Sequence, residues 1–533
     1  MGLSRPIAWL TLRWRTILLA LGSGAAPALA HPPFGIWPGL LGFGLLLHLL
    51  DQSDGAKPLR SAFWRGWLAG SVYFLICTWW VGEAFLVDVA AHGWQAPFAV
   101  GCLAGGLGLL WGAAGLTYRW MAPNHTGRIF VFAAVFAAFE WLRGHILSGF
   151  PWDLPGEAWR AGGLISQTAS LIGVYGLSAI TLGVAATGAV WLSHDGRRNR
   201  LVATATALVV LALLAGFGAL TLNGRAPSST GVRLRVVQAN IDQEAKWTPE
   251  SFRTIFETYT RLTAEPPKPG RAPPQVILWP EGAIPANAAD YLAEGTWTRA
   301  ALTDALRPGQ ILLMGAVRSD GAGPSARYYN SLLALRRDPA GLTTLGVYDK
   351  HHLVPFGEYM PMDSLMGAVG FKALVHVGDG FTAGPPPDAL RLPGLPAVQP
   401  LICYESLFPA LTPHDRPRPA WIANVSNDAW FGKTSGPWQH LNLGSYRAIE
   451  EGLPIIRATP TGVSAVIDSF GRPVATLGLG AQGVVDADLP GAANIPVYRY
   501  VGDGPFWLLL IVGFLGGGVR PAALFKNVTR RTT

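Results

Sequence analysis

The first 222 residues are a succession of apolar runs, each near the length of a bilayer crossing, joined by short polar loops. Few features constrain a fold more. A bilayer core offers no water to backbone N–H and C=O groups, so a crossing segment must satisfy them internally, and a helix of about 20 residues does so. The runs lie near 15–30, 34–50, 63–81, 95–118, 128–142, 164–192 and 201–222, with one more near 505–525. The run 164–192 is long enough for a tilted helix plus an interfacial segment. Composition agrees: half of the 533 residues are apolar, 14% are charged and 21 are Trp. That is the make-up of a membrane protein.

Loop charge gives a direction. Basic residues cluster before the first run, at Lys57/Arg60/Arg65, at Arg119/Arg128, at Arg197/Arg198/Arg200 and at Lys526/Arg530/Arg531. The alternate loops carry few; 82–94 has no Lys or Arg, and 143–163 has only Arg143 and Arg160. The positive-inside rule then places both termini in the cytoplasm, and seven spans put residues 223–504 on the outer face of the membrane. The first run has a second reading. Arg5, Arg13 and Arg15 precede an apolar stretch ending Ala28-Leu29-Ala30, as in a cleavable signal peptide. Retention as a helix is expected, and cleavage would leave the downstream orientation unchanged.

The net charge of +8 sits in these topological clusters, and no RNA-binding signature accompanies it, so nucleic acid is not an expected partner. The three cysteines, Cys77, Cys102 and Cys403, form no disulfide framework. Cys77 and Cys102 lie inside apolar runs and read as small buried hydrophobes. No metal is expected: adjacent His351-His352 would point to opposite faces of a strand and lack a third ligand, and His440 stands apart.

After a linker at 223–231 the texture changes. Short apolar runs at 232–241, 275–279, 311–317, 331–335, 343–348, 398–403, 421–425, 455–458, 463–467, 474–477 and 484–487 read as strands. Helices are expected at 249–264, with Thr248 as N-cap, at 292–306 and at 438–450. The runs are continuous rather than alternating, as in sheets covered on both faces. The expected organisation is a helical membrane domain of about seven spans (1–222), the linker, an α/β domain (232–504), and a C-terminal helix with a basic tail (505–533).

Three blocks in the α/β domain carry chemistry: Trp279-Pro280-Glu281, Tyr348-Asp349-Lys350 and Ile402-Cys403-Tyr404-Glu405. Each ends or nearly ends an expected strand. A thiol becomes nucleophilic on losing its proton, a carboxylate can take that proton, and an ammonium favours the thiolate and the oxyanion of a tetrahedral intermediate. Alone, a Cys after an apolar strand is a core residue, and Glu281 or Lys350 an ordinary strand-end charge.

Together the blocks resemble the nitrilase (carbon–nitrogen hydrolase) superfamily and, within it, the bacterial apolipoprotein N-acyltransferase family. The resemblance extends to His352-Leu353-Val354-Pro355-Phe356-Gly357-Glu358, to Ser426-Asn427-Asp428-Ala429-Trp430-Phe431-Gly432, to Gly436-Pro437-Trp438-Gln439-His440 and, in the membrane half, to Glu140-Trp141-Leu142-Arg143-Gly144 and Gly149-Phe150-Pro151-Trp152. It implies an α-β-β-α sandwich beside a multi-span helical domain. It also implies Glu281 as general base, Lys350 as electrostatic stabiliser and Cys403 as nucleophile. Glu358, Tyr404 and Glu405 match supporting residues, and Trp247 an aromatic at the substrate entrance. Gly282 departs from a frequent Ser. The implied reaction is ping-pong: a phospholipid gives its acyl chain to Cys403, and the α-amine of a diacylglyceryl-cysteine on an apolipoprotein takes it. No cofactor is implied, and a monomer is expected. Apolar residues of 356–371, including Met360, Met362, Leu365 and Met366, are a candidate lid. Trp430, Phe431 and Trp438 are candidates for a lipid site or for packing, and Glu140 and Arg143 for headgroup contact or snorkelling. Competing readings are a membrane-anchored amidase or nitrilase using water, and a transporter with a sensor domain; few charges inside the spans disfavour the latter.

Overall fold

The computed structural model describes residues 4–518 except 55, 124–125, 224–228, 242, 244–245, 247–249, 322, 324–325, 362–379, 410 and 414–415. The chain forms two compact units, 1–224 with 500–533, and 225–499.

In the first unit each expected run is helical over most of its described residues; 519–525 of the last run lie outside them. Among the described residues, four helical stretches are long and apolar enough to cross a membrane: 58–85, 89–121, 165–192 and 197–222. The run expected at 34–50 is a shorter apolar stretch, Trp37–Asp51, that begins as a 3₁₀ turn carrying Pro38 and Gly39. The long run expected at 164–192 is indeed composite: a 3₁₀ turn Ile165–Thr168, then a helix Ala169–Ala186 interrupted at Gly173 (φ 68°). Helices Pro58–Thr78 and Ala96–Met121 pack on small residues. A Cβ on Gly70 would lie 2.7 Å from Trp111 Cβ, and one on Gly112 3.0 Å from the Phe63 ring. Without a hydrophobic drive between helices in lipid, such close backbone approach is what holds them together.

Glu140 and Arg143 neither snorkel nor face outward. Both are buried and paired, Glu140 Oε1 accepts from Trp111 Nε1 at 2.7 Å, and Arg143 Nη1 donates to the Trp152 carbonyl at 2.9 Å. Burial is the reason: a charge far from water is held only by a partner. Cys77 is buried, but Cys102 is exposed on its helix.

The second unit holds two sheets. One has the order β11 (Gly483–Pro490), β1 (Ser229–Gln238), β2 (Val276–Trp279), β3 (Ile311–Asp320), β4 (Arg327–Asp338), β5 (Gly341–Asp349). The other runs β10 (Pro473–Leu477), β9 (Ser464–Ile467), β8 (Ile455–Ala458), β7 (Trp421–Val425), β6 (Val398–Ile402). β1, β2 and β3 are mutually parallel, with antiparallel strands on both sides; β6, β7 and β8 are also parallel, with antiparallel β9 beside β8 and β6 at the edge.

Side-chain alternation explains the layering. Val236, Leu278 and Leu313 share one core with Ile402, Val425 and Ala458 of the facing sheet. Their neighbours Val237, Ile277 and Leu312 point the other way, onto helix Ser251–Ala264. Leu401 and Ile422 likewise pack under helix Gly436–Glu451. Successive residues of a strand face opposite sides, so a strand buried on both is apolar throughout. The result is an α-β-β-α sandwich.

Two expected helices differ. The helix starts at Ser251 rather than 249, with Glu250 as its cap; Thr248 lies outside the described residues. The stretch 292–306 holds a helix only from Trp297 to Ala305, because Gly295 turns left-handed (φ 79°) and Thr296 caps the new start through the Arg299 N–H.

Candidate active site

Glu281 follows β2 and Lys350 follows β5, both at the C-terminal ends of like-directed strands in one sheet. β3 lies close against the first of them: a Cβ at Gly315 would meet the Pro280 carbonyl at 2.6 Å, so glycine there lets Glu281 settle against the sheet. Lys350 Nζ lies 3.4 Å from Glu281 Oε1 and 2.9 Å from Glu358 Oε2. Glu358 Oε2 also accepts the Val354 N–H at 2.8 Å. Burial disfavours the ammonium, but the two carboxylates outweigh it and hold the Lys350 pKa above the ordinary lysine value.

Asn330 on β4 ties the carboxylates together. Its Nδ2 donates to Glu281 Oε1 at 2.6 Å and to Glu358 Oε1 at 2.7 Å. An amide nitrogen has two protons, and here both are used. Glu281 Oε2 is buried and has no hydrogen-bond partner among the described residues.

Cys403 begins a short 3₁₀ turn after β6 and adopts φ 52°. A non-glycine residue in that region costs about 1–3 kcal/mol and persists only where its surroundings hold it. The holder is Glu405. Its Oε2 accepts the Ile402 N–H at 2.7 Å, while Oε1 accepts the Tyr348 hydroxyl at 2.7 Å and the backbone N–H groups of His351 and His352 at 2.9 and 3.0 Å. One buried carboxylate therefore joins the Cys403 turn of one sheet to the residues flanking Lys350 in the other. Burial pushes the Cys403 thiol pKa well above its ordinary value and the Glu281 charge adds to this, while Lys350 acts in the opposite direction.

The chain matches the carbon–nitrogen hydrolase family over residues 233–494 and the apolipoprotein N-acyltransferase N-terminal domain over 23–187. It is 54% identical over 528 residues to the apolipoprotein N-acyltransferase of Caulobacter vibrioides, covering 98% of both chains. The chain belongs to the apolipoprotein N-acyltransferase family. Relatives of the same name from Allorhizobium ampelinum and Rhodopseudomonas palustris are 40% and 38% identical, over 89% and 95% of this chain and 90% and 94% of theirs. Among solved structures, the NitN amidase of Nesterenkonia sp. AN1 aligns with a TM-score of 0.34 at 19% identity, over 56% of this chain and 99% of that one. As a member of the apolipoprotein N-acyltransferase family, this is a membrane-embedded acyltransferase with a nitrilase-like domain.

Tyr404 is nearly buried, against Phe408 and His352 at ring-centroid distances of 5.0 and 5.7 Å. His351 Nδ1 faces the Gly384 carbonyl at 2.9 Å, and His440 Nδ1 faces Asp428 at 2.9 Å. Trp438 is exposed, and Trp430 and Phe431 are half-buried. Trp247 and lid positions 362–371 lie outside the described residues. Met360 is half-buried, while Phe356 is exposed at φ 62°.

Two residues were missed. Asn330 had a signal: it is a lone amide directly before the apolar run Ser331–Leu335, and Asn is disfavoured in strands. Lys246 had none. It is buried, and a Cβ at Gly282 would stand 3.4 Å from its Nζ. Burial lowers its pKa to about 8 against the pull of Glu281. Gly282 is itself left-handed (φ 54°), a conformation that suits glycine better than the Ser frequent in the family.

Proposed function

We propose that this enzyme N-acylates the N-terminal diacylglyceryl-cysteine of apolipoproteins, taking the acyl chain from a phospholipid by a ping-pong route through a Cys403 thioester. The observation that carries the reading is the Glu281 carboxylate, with Oε1 fixed by Lys350 and Asn330 and Oε2 left to receive a proton. Glu281 Oε2 takes the thiol proton as Sγ attacks the ester carbonyl. Lys350 and the Tyr404 N–H stabilise the oxyanion. The C–S bond forms, the C–O bond breaks, and the proton returns from Glu281 to the departing lysophospholipid oxygen. In the second half the acceptor amine attacks the thioester, Glu281 takes its proton, the C–N bond forms, and Cys403 leaves and is reprotonated. Splitting one acyl transfer in this way replaces a hard step by two easier ones.

Glu358 and Asn330 position Glu281 and Lys350; Glu405 positions Cys403; Tyr404 flanks the nucleophile. Trp247 is assigned to the substrate entrance and 356–371 to a lid, on resemblance and apolar character. The protein is an inner-membrane protein, and the loop charges support cytoplasmic termini with the catalytic unit on the periplasmic face. We assign 1–222 and 505–533 to the membrane and 232–504 to catalysis; of the expected linker 223–231, residues 229–231 already belong to β1. Every group invoked comes from one chain, so a monomer suffices.

Mass spectrometry of the full-length enzyme after incubation with phospholipid tests the reading. An acyl adduct on Cys403 is expected, absent in Cys403→Ala and discharged by a diacylglyceryl-cysteine peptide. Turnover without an adduct would overturn it; discharge by water at the same rate as by the amine would make the enzyme a hydrolase.

A further inference from the structure

Behind the nucleophile lies a buried polar cluster that the acyl-transfer steps above do not use. Ser406 Oγ donates to the Cys403 carbonyl at 2.9 Å. His440 Nε2 stands 3.2 Å from Ser406 Oγ and 3.3 Å from the same carbonyl, closing the space around that bond. The other ring nitrogen faces Asp428 Oδ1 at 2.9 Å, and Arg457 Nη2 holds both Asp428 oxygens at 2.8 Å. Ser406, His440, Asp428 and Arg457 are each at most 1% exposed. Burial and Arg457 hold the His440 pKa below its ordinary value, against the pull of Asp428. Burial opposes ionisation of Asp428, but Arg457 and His440 outweigh it and keep the carboxylate charged. Nδ1 stands between the Asp428 carboxylate at 2.9 Å and Arg457 Nη2 at 3.0 Å, and the Ser406 hydroxyl is the donor to the carbonyl.

The Cys403 carbonyl is one edge of a peptide plane whose other edge is the Tyr404 N–H. In a trans peptide the two point in opposite directions, so fixing one aims the other. We propose that Ser406, backed by His440 and Asp428, is a positioning assembly that fixes the Cys403–Tyr404 peptide plane and thereby aims the Tyr404 N–H at the oxyanion of the acyl-transfer steps. This rests on Cys403 being the nucleophile. It also accounts for the unusual backbone: Glu405 anchors the φ 52° turn ahead of the nucleophile, and Ser406 anchors it behind.

The test compares two reactions of the same thiol in the full-length enzyme. Acylation by phospholipid passes through an oxyanion; alkylation by iodoacetamide does not. Ser406→Ala and His440→Ala should slow acylation about 10- to 100-fold, the scale of a weakened oxyanion donor, and leave alkylation within about 3-fold. A parallel fall in both rates would make the cluster a mere support of the fold, and unchanged acylation in Ser406→Ala, the milder variant, would remove its role; either overturns the proposal. Wild-type enzyme that turns over without any acyl adduct would instead overturn the thioester reading on which it rests.

Discussion

At the scale of single residues, the surroundings of Cys403 favour the thiol over the thiolate. Burial and Glu281 raise its pKa, and Lys350 only partly compensates. Deprotonation therefore belongs to the attack itself. Alkylation of wild-type Cys403 should keep climbing beyond about pH 9, past the ordinary thiol midpoint. Glu281→Gln removes a charge that opposes the thiolate, so the alkylation midpoint should move to lower pH while acylation collapses. A midpoint that stays put or rises in Glu281→Gln would show that Glu281 does not act on the thiol. The three blocks were legible because each pairs a reactive side chain with the end of an apolar run. Asn330 showed only as an amide out of place beside an apolar run, and the Ser406–His440 contact did not show at all. Their roles depend on which atoms meet across strands, and spacing along the chain says nothing of that.

At the scale of elements, strands were easier to read than spans. A strand buried on both faces is apolar at every position, so β6, β7 and β8 announce themselves within a residue of their observed limits. Membrane helices were blurred by the small residues and the breaks that their packing needs, as at Gly173. Within helix Arg128–Arg143 the polar pair sets the stability. Arg143→Ala strands a buried Glu140 carboxylate, and breaking such a pair costs about 3–5 kcal/mol. The melting temperature in detergent should fall clearly for Arg143→Ala, and less for the double change Glu140→Gln/Arg143→Met, which leaves no orphaned charge. Equal melting of Arg143→Ala and wild type would mean the pair contributes nothing.

At the scale of the molecule, the chain divides its labour between a helical membrane unit and a sandwich of two sheets. The division was legible from the shift in texture at the linker. The pairing of sheets was not: β1 borders β11, some 250 residues away, and no local pattern records so distant a partner. Glu405 spans the two sheets, with one oxygen on each side. The backbone beside Lys350 and the backbone beside Cys403 are thus pinned to each other by a single side chain, in addition to the apolar packing between the sheets. Val276→Ala, at the remote end of β2, should lower the melting temperature, since a deleted core methyl pair costs on the order of 2 kcal/mol, yet leave acylation nearly untouched. Glu405→Gln should do the reverse, sparing most of the fold and losing most of the rate. A sandwich built this way meets two demands with separate parts: its apolar interior holds the fold, and one buried carboxylate keeps the reactive turn in step with the strand end it serves.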